Sequence, residues 1–400
     1  MFENLLYQNV SSLLRDDILN KKLPNSLLFS GPLYAGKLTC ALELARVISC
    51  RGQKIGSWNC TCPSCLKHKS LVNNDVMLMG QRENLLEMKG AAESFLKAVK
   101  ECSSYLQATH YFFVRSVRKL AKRFSPILWK DDDKVAKISP LVEKIDELLE
   151  EIDPLRPLLP LEKLEKIVDE LLKTSEKLES NFLYDILPIA QIRNVSQWAR
   201  YTVAEGKKVV IIENVERMQE SGRNALLKIL EEPPENTLFI LTTSARGAVM
   251  PTILSRVRTY GFIERNESQQ TEVVRRVFHG EGNSVSQYLL SFLPVKREVI
   301  QKNAQIFFDA LVGNAHCNVE TLVKEMNNFE PKMMLSLFFN DVLTLQRNQL
   351  LSITHFSGTI EQQALLEKIL IKLKQAYFEI TTYNISVLAS LEKTLYGFTS

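Results

Sequence analysis

The chain has 400 residues, of which 45% are hydrophobic and 24% charged, the ordinary mix of a globular chain with room for more than one core. Fifteen Gly and fourteen Pro exclude a fibrous or low-complexity protein, and 50 basic against 46 acidic residues leave a formal charge of only +4. That balance excludes a surface that grips nucleic acid all over by charge, so any contact with DNA is expected to be local or shared with partner chains. Apolar runs such as Val209–Ile212 fall far short of the ~20 residues of a membrane helix. The start, Met1-Phe2-Glu3-Asn4, lacks the basic region and cleavage site of an export signal. A cytoplasmic chain with no membrane partner is expected.

Residues 10 to 20 show helical spacing at Val10, Leu13, Leu14 and Ile18. Leu27-Leu28-Phe29-Ser30 then forms a short apolar run that stops at Gly31-Pro32, as a buried strand entering a turn does. From Lys37, the positions Ala41, Leu44, Ala45 and Ile48 give one apolar helix face. Within this strand, loop and helix stands Gly31-Pro-Leu-Tyr-Ala-Gly36-Lys37-Leu38-Thr39. A phosphate-cradling loop needs a Gly at each end, a Lys for the β- and γ-phosphates, and a hydroxyl directly after it for Mg²⁺. Gly31, Gly36 and Lys37 meet that spacing. Leu38 has no hydroxyl, and Thr39 is turned about 100° further round the helix.

Seven cysteines occur in the chain, and Cys50, Cys60, Cys62 and Cys65 crowd into sixteen positions as C-x9-C-x-C-x2-C. Thiolates at such intervals close a tetrahedral zinc site with no open position for catalysis. The tight C-x-C pair leaves the ligand set open, with His68 as a substitute, and reduced cysteines without metal are the plain alternative.

Residues 81–187 read as all-helical and foreign to their neighbours. Ile138, Leu141, Val142, Ile145, Leu148, Leu149 and Ile152 keep a 3-4 spacing, which resumes from Leu161 to Leu178 after Pro154, Pro157 and Pro160. An antiparallel, coiled-coil-like helical hairpin is expected. Upstream, Arg115, Arg118, Lys119, Lys122 and Arg123 make a basic cluster, to be read either as a DNA contact or as a solvated helix face.

Alternation then returns: a helix over Ile189 to Val203, a strand over Lys208 to Ile212, and a helix over Gly222 to Leu230 capped around Ser221. A strand over Leu238 to Thr242 and a helical turn over Ile253 to Arg256 follow. Strands separated by helices predict a parallel sheet covered on both faces. The strand Lys208–Ile212 ends in Glu213-Asn214, where a working ATPase has an Asp near Mg²⁺ and then a Glu that polarises water. Glu213 is one methylene too long and Asn214 takes no proton. Losing a positioned base costs ~10²–10⁴-fold in rate, so hydrolysis here is not expected. From Glu267 to Ser400 the spacing is helical only, as at Leu335, Phe338, Phe339, Val342 and Leu345.

The segment Leu23 to Pro32 and the cysteine module resemble the opening of bacterial clamp-loader AAA+ subunits. More specific are Asn224-Ala-Leu-Leu-Lys-Ile-Leu-Glu-Glu-Pro-Pro234, Thr237-Leu-Phe-Ile-Leu-Thr-Thr243 and Pro251-Thr-Ile-Leu-Ser255-Arg256. Together they look like the clamp-loader core of DNA polymerase III over residues 1–80 and 186–262, whereas the segment 81–187 has no counterpart in that pattern. The resemblance implies an α/β AAA+ P-loop fold: a first core part (1–80) with the zinc module (50–65), the hairpin insertion (81–187), a second core part (188–265), a helical lid (266–313) and a helical collar (314–400). The degenerate site points to a delta-prime-like rather than a gamma/tau-like subunit. It implies partnership with gamma/tau and delta subunits, the sliding clamp and primed DNA, and a role for Arg256 as an arginine finger in a neighbour's ATP site. Thr243 falls where the family senses the γ-phosphate. Zinc and a nucleotide held without turnover are the implied cofactors. An active motor with an unusual P-loop, and an interaction scaffold that uses the helical hairpin to bind another protein while the core is inert, are the competing expectations; for Arg256 itself a structural salt bridge is the plain alternative.

Overall fold

The computed structural model describes residues 1–400 except 202–205, 314, 356–359, 384 and 400. The chain divides into two compact units, Met1–Leu289 and Leu290–Ser400.

The first unit opens with α1 (Val10–Leu19), β1 (Ser26–Ser30), α2 (Lys37–Ile48) and α3 (Pro63–Lys69), followed by β2 (Val76–Met79). Four long helices come next: α4 (Leu85–Lys100), α5 (Leu106–Ala121), α6 (Val135–Glu151) and α7 (Leu161–Phe182). The chain then returns through α8 (Ile189–Ala199), β3 (Lys208–Ile212), α9 (Glu220–Glu231), β4 (Thr237–Thr243), α10 (Pro251–Leu254) and β5 (Arg258–Gly261). Two short helices, α11 (Glu267–Val273) and α12 (Val285–Leu290), close it.

The five strands form one sheet in the order β2-β3-β4-β1-β5, and all four pairings are parallel. This is the parallel sheet, with helices on both faces, that the alternation of strands and helices predicted. Strand periodicity divides the apolar residues between the two faces. Leu27, Phe29, Val209, Ile211, Leu238 and Ile240 pack with Leu14, Leu44 and Val47 of α1 and α2. Leu28, Met77, Met79, Val210, Ile212, Phe239 and Leu241 face the other way and join a core shared by Phe95, Phe113, Ile145, Leu171, Ile192 and Leu226. Helices α4 to α7 are therefore continuous with one face of the sheet. The α6–α7 hairpin is present, its 3-4 seams meeting through Ile145, Leu149, Leu164 and Leu171.

Two strands were not legible in the sequence: β2 is four residues long and half methionine, and β5 (Arg-Thr-Tyr-Gly) buries only Tyr260. Helix α9 starts at Glu220 with Gln219 at its N-cap and no side-chain cap, so Ser221 lies inside the helix rather than capping it. Helix α8 ends at Ala199 with Arg200 as its C-cap, short of the expected end at Val203, a residue that lies outside the described ones.

The second unit holds α13 (Arg297–Leu311), α14 (Val319–Glu325), α15 (Met333–His355), α16 (Ile360–Tyr383) and α17 (Val387–Thr399). Its core is aromatic: Phe338 meets Phe307, Phe329 and Phe339, and Phe339 meets Tyr377, with ring centroids 5.3–5.8 Å apart. Arg297 of α13 pairs with Asp341 of α15. Among the described residues, no helix is long and apolar enough to cross a membrane.

Candidate functional site

The P-loop geometry is built where β1 ends. A Cβ on Gly31 would lie 2.5 Å from the Phe262 carbonyl oxygen, so this close approach admits only glycine. Gly36, at φ 95°, is the N-cap of α2. Tyr34 also has a left-handed backbone, φ 58°, unusual for a bulky residue. Arg265 sustains that turn, donating to the carbonyls of Tyr34 (2.9 Å), Ala35 (3.0 Å) and Leu6 (3.0 Å). The Lys37 amine donates to the carbonyls of Gly31 and Pro32, both at 2.6 Å, and burial lowers its pKa to about 8. Leu38 is 3% exposed and belongs to the core beneath the loop. No hydroxyl stands directly after the lysine.

The carboxylate at the end of β3 is fully engaged. Glu213 Oε1 accepts from Arg82 at 2.9 Å, and Oε2 accepts from Arg123, which is itself 2% exposed. Burial alone would raise the Glu213 pKa; the two guanidinium groups outweigh it and hold the carboxyl below its ordinary value. Arg123 also donates to the Gly80 carbonyl (2.8 Å), while Arg82 bonds Glu87 (2.7 Å), which Lys119 also pairs. Asn214 stands at φ 51°, and its amide donates to the Gln81 carbonyl at 2.7 Å. It is spent as a turn residue. Thr243, fully buried at the end of β4, accepts from the Ala245 N–H at 3.0 Å.

Arg256 follows α10 at the surface. Its Nη2 bonds Glu231 Oε1 at 2.6 Å, and Nη1 donates to the Thr252 carbonyl (2.8 Å) and the Ser255 hydroxyl (3.3 Å).

Among the described residues, Cys50, Cys60, Cys62 and Cys65 bring their four sulfurs within 4.8 Å of one another. Tetrahedral zinc with Zn–S bonds of about 2.3 Å places sulfurs roughly 3.8 Å apart, and Cys50 and Cys60 stand at 3.7 Å. The donor set fits zinc. Local folding explains the approach: Cys62 is the N-cap of α3 and accepts from the Cys65 N–H (3.4 Å), with Pro63 in the first turn. Gly52 leaves the space that a Cβ would deny, 2.5 Å from the Cys60 sulfur. Arg46 orients the cluster from outside, donating to the Cys65 sulfur (3.1 Å) and the carbonyls of Gly56 (2.8 Å) and Ser57 (3.0 Å), while paired with Glu43 at 2.6 Å. Zinc held here would crosslink the loop 50–65. His68, the substitute ligand, is not among the gathered donors; its Nε2 faces Asn73 Nδ2 at 2.8 Å.

The basic cluster has neither role expected of it. Arg115 donates to the carbonyls of His68 (3.3 Å) and Lys69 (2.8 Å), Arg118 to that of Ser70 (2.8 Å), and Lys122 to that of Asn73 (2.6 Å). Lys119 and Arg123 point into the Glu87–Glu213 ion cluster. Arg115 and Arg118 satisfy the carbonyls that end α3, where positive charge is favoured, and so fasten α5 to the cysteine module.

Sequence reasoning did not find Arg82, Arg265 or Glu231. Each acts through a partner distant in sequence, and no spacing rule reports such pairs.

A family model described as DNA polymerase III, delta subunit, matches residues 7–146 and 168–266. The match runs through most of the segment 81–187, for which no counterpart was expected, and pauses only around the tip of the α6–α7 hairpin. The DNA polymerase III subunit delta' of Haemophilus influenzae is 36% identical over 80 residues, 20% of this chain and 24% of that protein. The gamma/tau subunit of Mycobacterium tuberculosis is 37% identical over 75 residues, 19% of this chain and 13% of that one. The gamma subunit of Buchnera aphidicola is 25% identical over 204 residues, 50% of this chain and 54% of the relative. The chain thus spans less than two thirds of the length of each of these curated relatives. The family match, covering more than half of this sequence, is decisive: the chain belongs to the DNA polymerase III, delta subunit family.

Proposed function

We propose that this chain is a delta-prime-like subunit of the bacterial DNA polymerase III clamp loader. It acts in the cytoplasm with gamma/tau and delta subunits to place the sliding clamp on primed DNA. It does not hydrolyse ATP itself and offers Arg256 to the ATP site of a neighbour. The observation that carries this reading is the state of Glu213, whose two carboxylate oxygens are each taken by an arginine of the same chain. Leu38 and Asn214 support it, since neither supplies the metal-binding hydroxyl nor the general base of a working site. Any nucleotide at Gly31, Gly36, Lys37 and Thr243 would be held without turnover. The half-buried guanidinium of Arg256 has the chemistry to stabilise charge on a transferring phosphoryl group, an effect worth ~10³-fold or more.

The test is co-purification with gamma/tau and delta chains, followed by ATPase assay of the assembly with wild-type chain or R256A. A fall of about 10³-fold in turnover with R256A is expected. Turnover by the isolated chain that K37A abolishes would instead identify an active motor subunit. An assembly indifferent to R256A would identify a scaffold.

A further inference from the structure

P-loop sites of working ATPases hold a divalent cation between the nucleotide phosphates, the hydroxyl after the loop lysine and a carboxylate at a neighbouring strand end. The residues of this chain do not fit that ion. Leu38 replaces the hydroxyl and is buried in the core. Glu213, the carboxylate in question, is 6% exposed and lies between Arg82 and Arg123.

We propose that Arg82 and Arg123, both supplied by the stretch between β2 and β3, are built-in counter-cations that stand in place of the divalent metal at Glu213 and close the site to metal-bound nucleotide.

Both arginines are fixed from behind. Arg123 is anchored on the Gly80 carbonyl, and its own carbonyl accepts from Trp129 Nε1 at 2.8 Å. Arg82 is anchored on Glu87, which Lys119 pairs from α5. Strands β3 and β1 run parallel with β4 between them, so Glu213 after β3 and the loop after β1 lie at the same end of the sheet. Each carboxylate oxygen already accepts from a fixed cation, so an incoming metal ion would meet two positive charges before it reached a remaining lone pair. Displacing a guanidinium would leave a buried charge unpaired. The helical segment thereby acquires a function: through α5 it fastens to the cysteine module, and through Arg82 and Arg123 it occupies the electrostatic position of the metal. This inference rests on the reading of the site as inactive. It does not depend on assembly with gamma/tau and delta, so failure to form that assembly would count against the clamp-loader proposal alone.

The probe is Mn²⁺ with ATP, followed by electron paramagnetic resonance on the full chain. E213Q, folded by circular dichroism, is expected to bind Mn²⁺–ATP with the affinity of the wild type, because Glu213 is not a ligand. R82M removes the more exposed of the two arginines and frees Oε1. It is expected to raise Mn²⁺–ATP affinity about 10-fold or more, the scale on which groups around a metal tune its binding, and R82M/E213Q should cancel the gain. The proposal is overturned if E213Q weakens wild-type Mn²⁺–ATP binding about 10-fold or more. It is equally overturned if R82M, folded by circular dichroism, gains no affinity. Should R82M not fold, the E213Q comparison alone decides.

Discussion

The guanidinium of Arg256 and the carboxylate of Glu231 meet at 2.6 Å, joining the residue after α10 to the end of α9. The cation proposed to serve a neighbouring subunit is thus paired within its own chain. Both side chains are accessible, at 32% and 49%, and such surface pairs contribute about 0–1 kcal/mol. E231Q and R256A are therefore expected to shift the melting temperature by no more than about 4 °C, measured by calorimetry on the isolated chain. Loss of ATPase in an R256A assembly would then report on chemistry and not on folding. A much larger drop in melting temperature would assign Arg256 a structural role.

The cysteine cluster makes a second prediction. Cys65 is fully buried and bonded by Arg46, whereas Cys102 is exposed and outside the cluster. C65A should abolish stoichiometric zinc in elemental analysis and lower the melting temperature, and C102A should do neither. Chelation of the wild type should loosen α3, because zinc held by these sulfurs would crosslink the loop from which that helix starts. Hydrogen exchange over residues 63–69 reads this directly. Zinc content that survives C65A would remove that sulfur from the ligand set.

How much of this was legible in the sequence depended on the range of the interactions. Leu27–Phe29, Val209–Ile212 and the apolar face of α2 are local signals with one physical meaning, and they placed the sheet and the loop from Gly31 to Gly36. The cysteine spacing was also local enough to gather four sulfurs. The short strands β2 and β5 carry too few residues for a period of two to stand out. The misreading of Arg115 to Arg123 is more instructive. A basic run on a helix looks identical whether it faces water, DNA or carbonyl groups, and the carbonyls of His68, Lys69 and Ser70 are brought there only by tertiary folding. The same limit hid Arg82, whose partner Glu213 lies 131 residues away, and Arg265, whose partners lie 230 or more residues away.

The Arg115 contacts give a third prediction. Its guanidinium donates to two carbonyls at the end of α3, and hydrogen bonds from charged donors contribute about 1.5–3 kcal/mol each. R115A should destabilise the first unit by about 2–4 kcal/mol, read from the denaturant midpoint with an unchanged slope. Fluorescence anisotropy should show no change in the isolated chain's affinity for primed duplex DNA at fixed salt. A weakened affinity with reduced salt dependence would restore the cluster to DNA contact.

Glu179 of α7 makes the last prediction. Both its carboxylate oxygens accept from the Asn84 N–H, at 3.1 and 3.2 Å, at the start of α4. Burial raises its pKa to about 7, and the neighbouring charge of Glu83 adds to the rise. A carboxyl raised on folding binds its proton more tightly in the native state than in the unfolded chain. Between the unfolded value near 4.5 and the folded value near 7, the native state therefore binds more protons, and stability falls as pH rises across that window. Above it the penalty is constant, on the order of 3 kcal/mol at most. E179Q removes the charge while keeping an oxygen to accept from Asn84. The variant should match the wild type near pH 4.5 and exceed it in denaturant midpoint at pH 8, with the difference opening between those values. A constant difference across the range would show that the Glu179 carboxylate is solvated as an ordinary surface acid, and that the junction of α7 with α4 is looser than its hydrogen bonds imply.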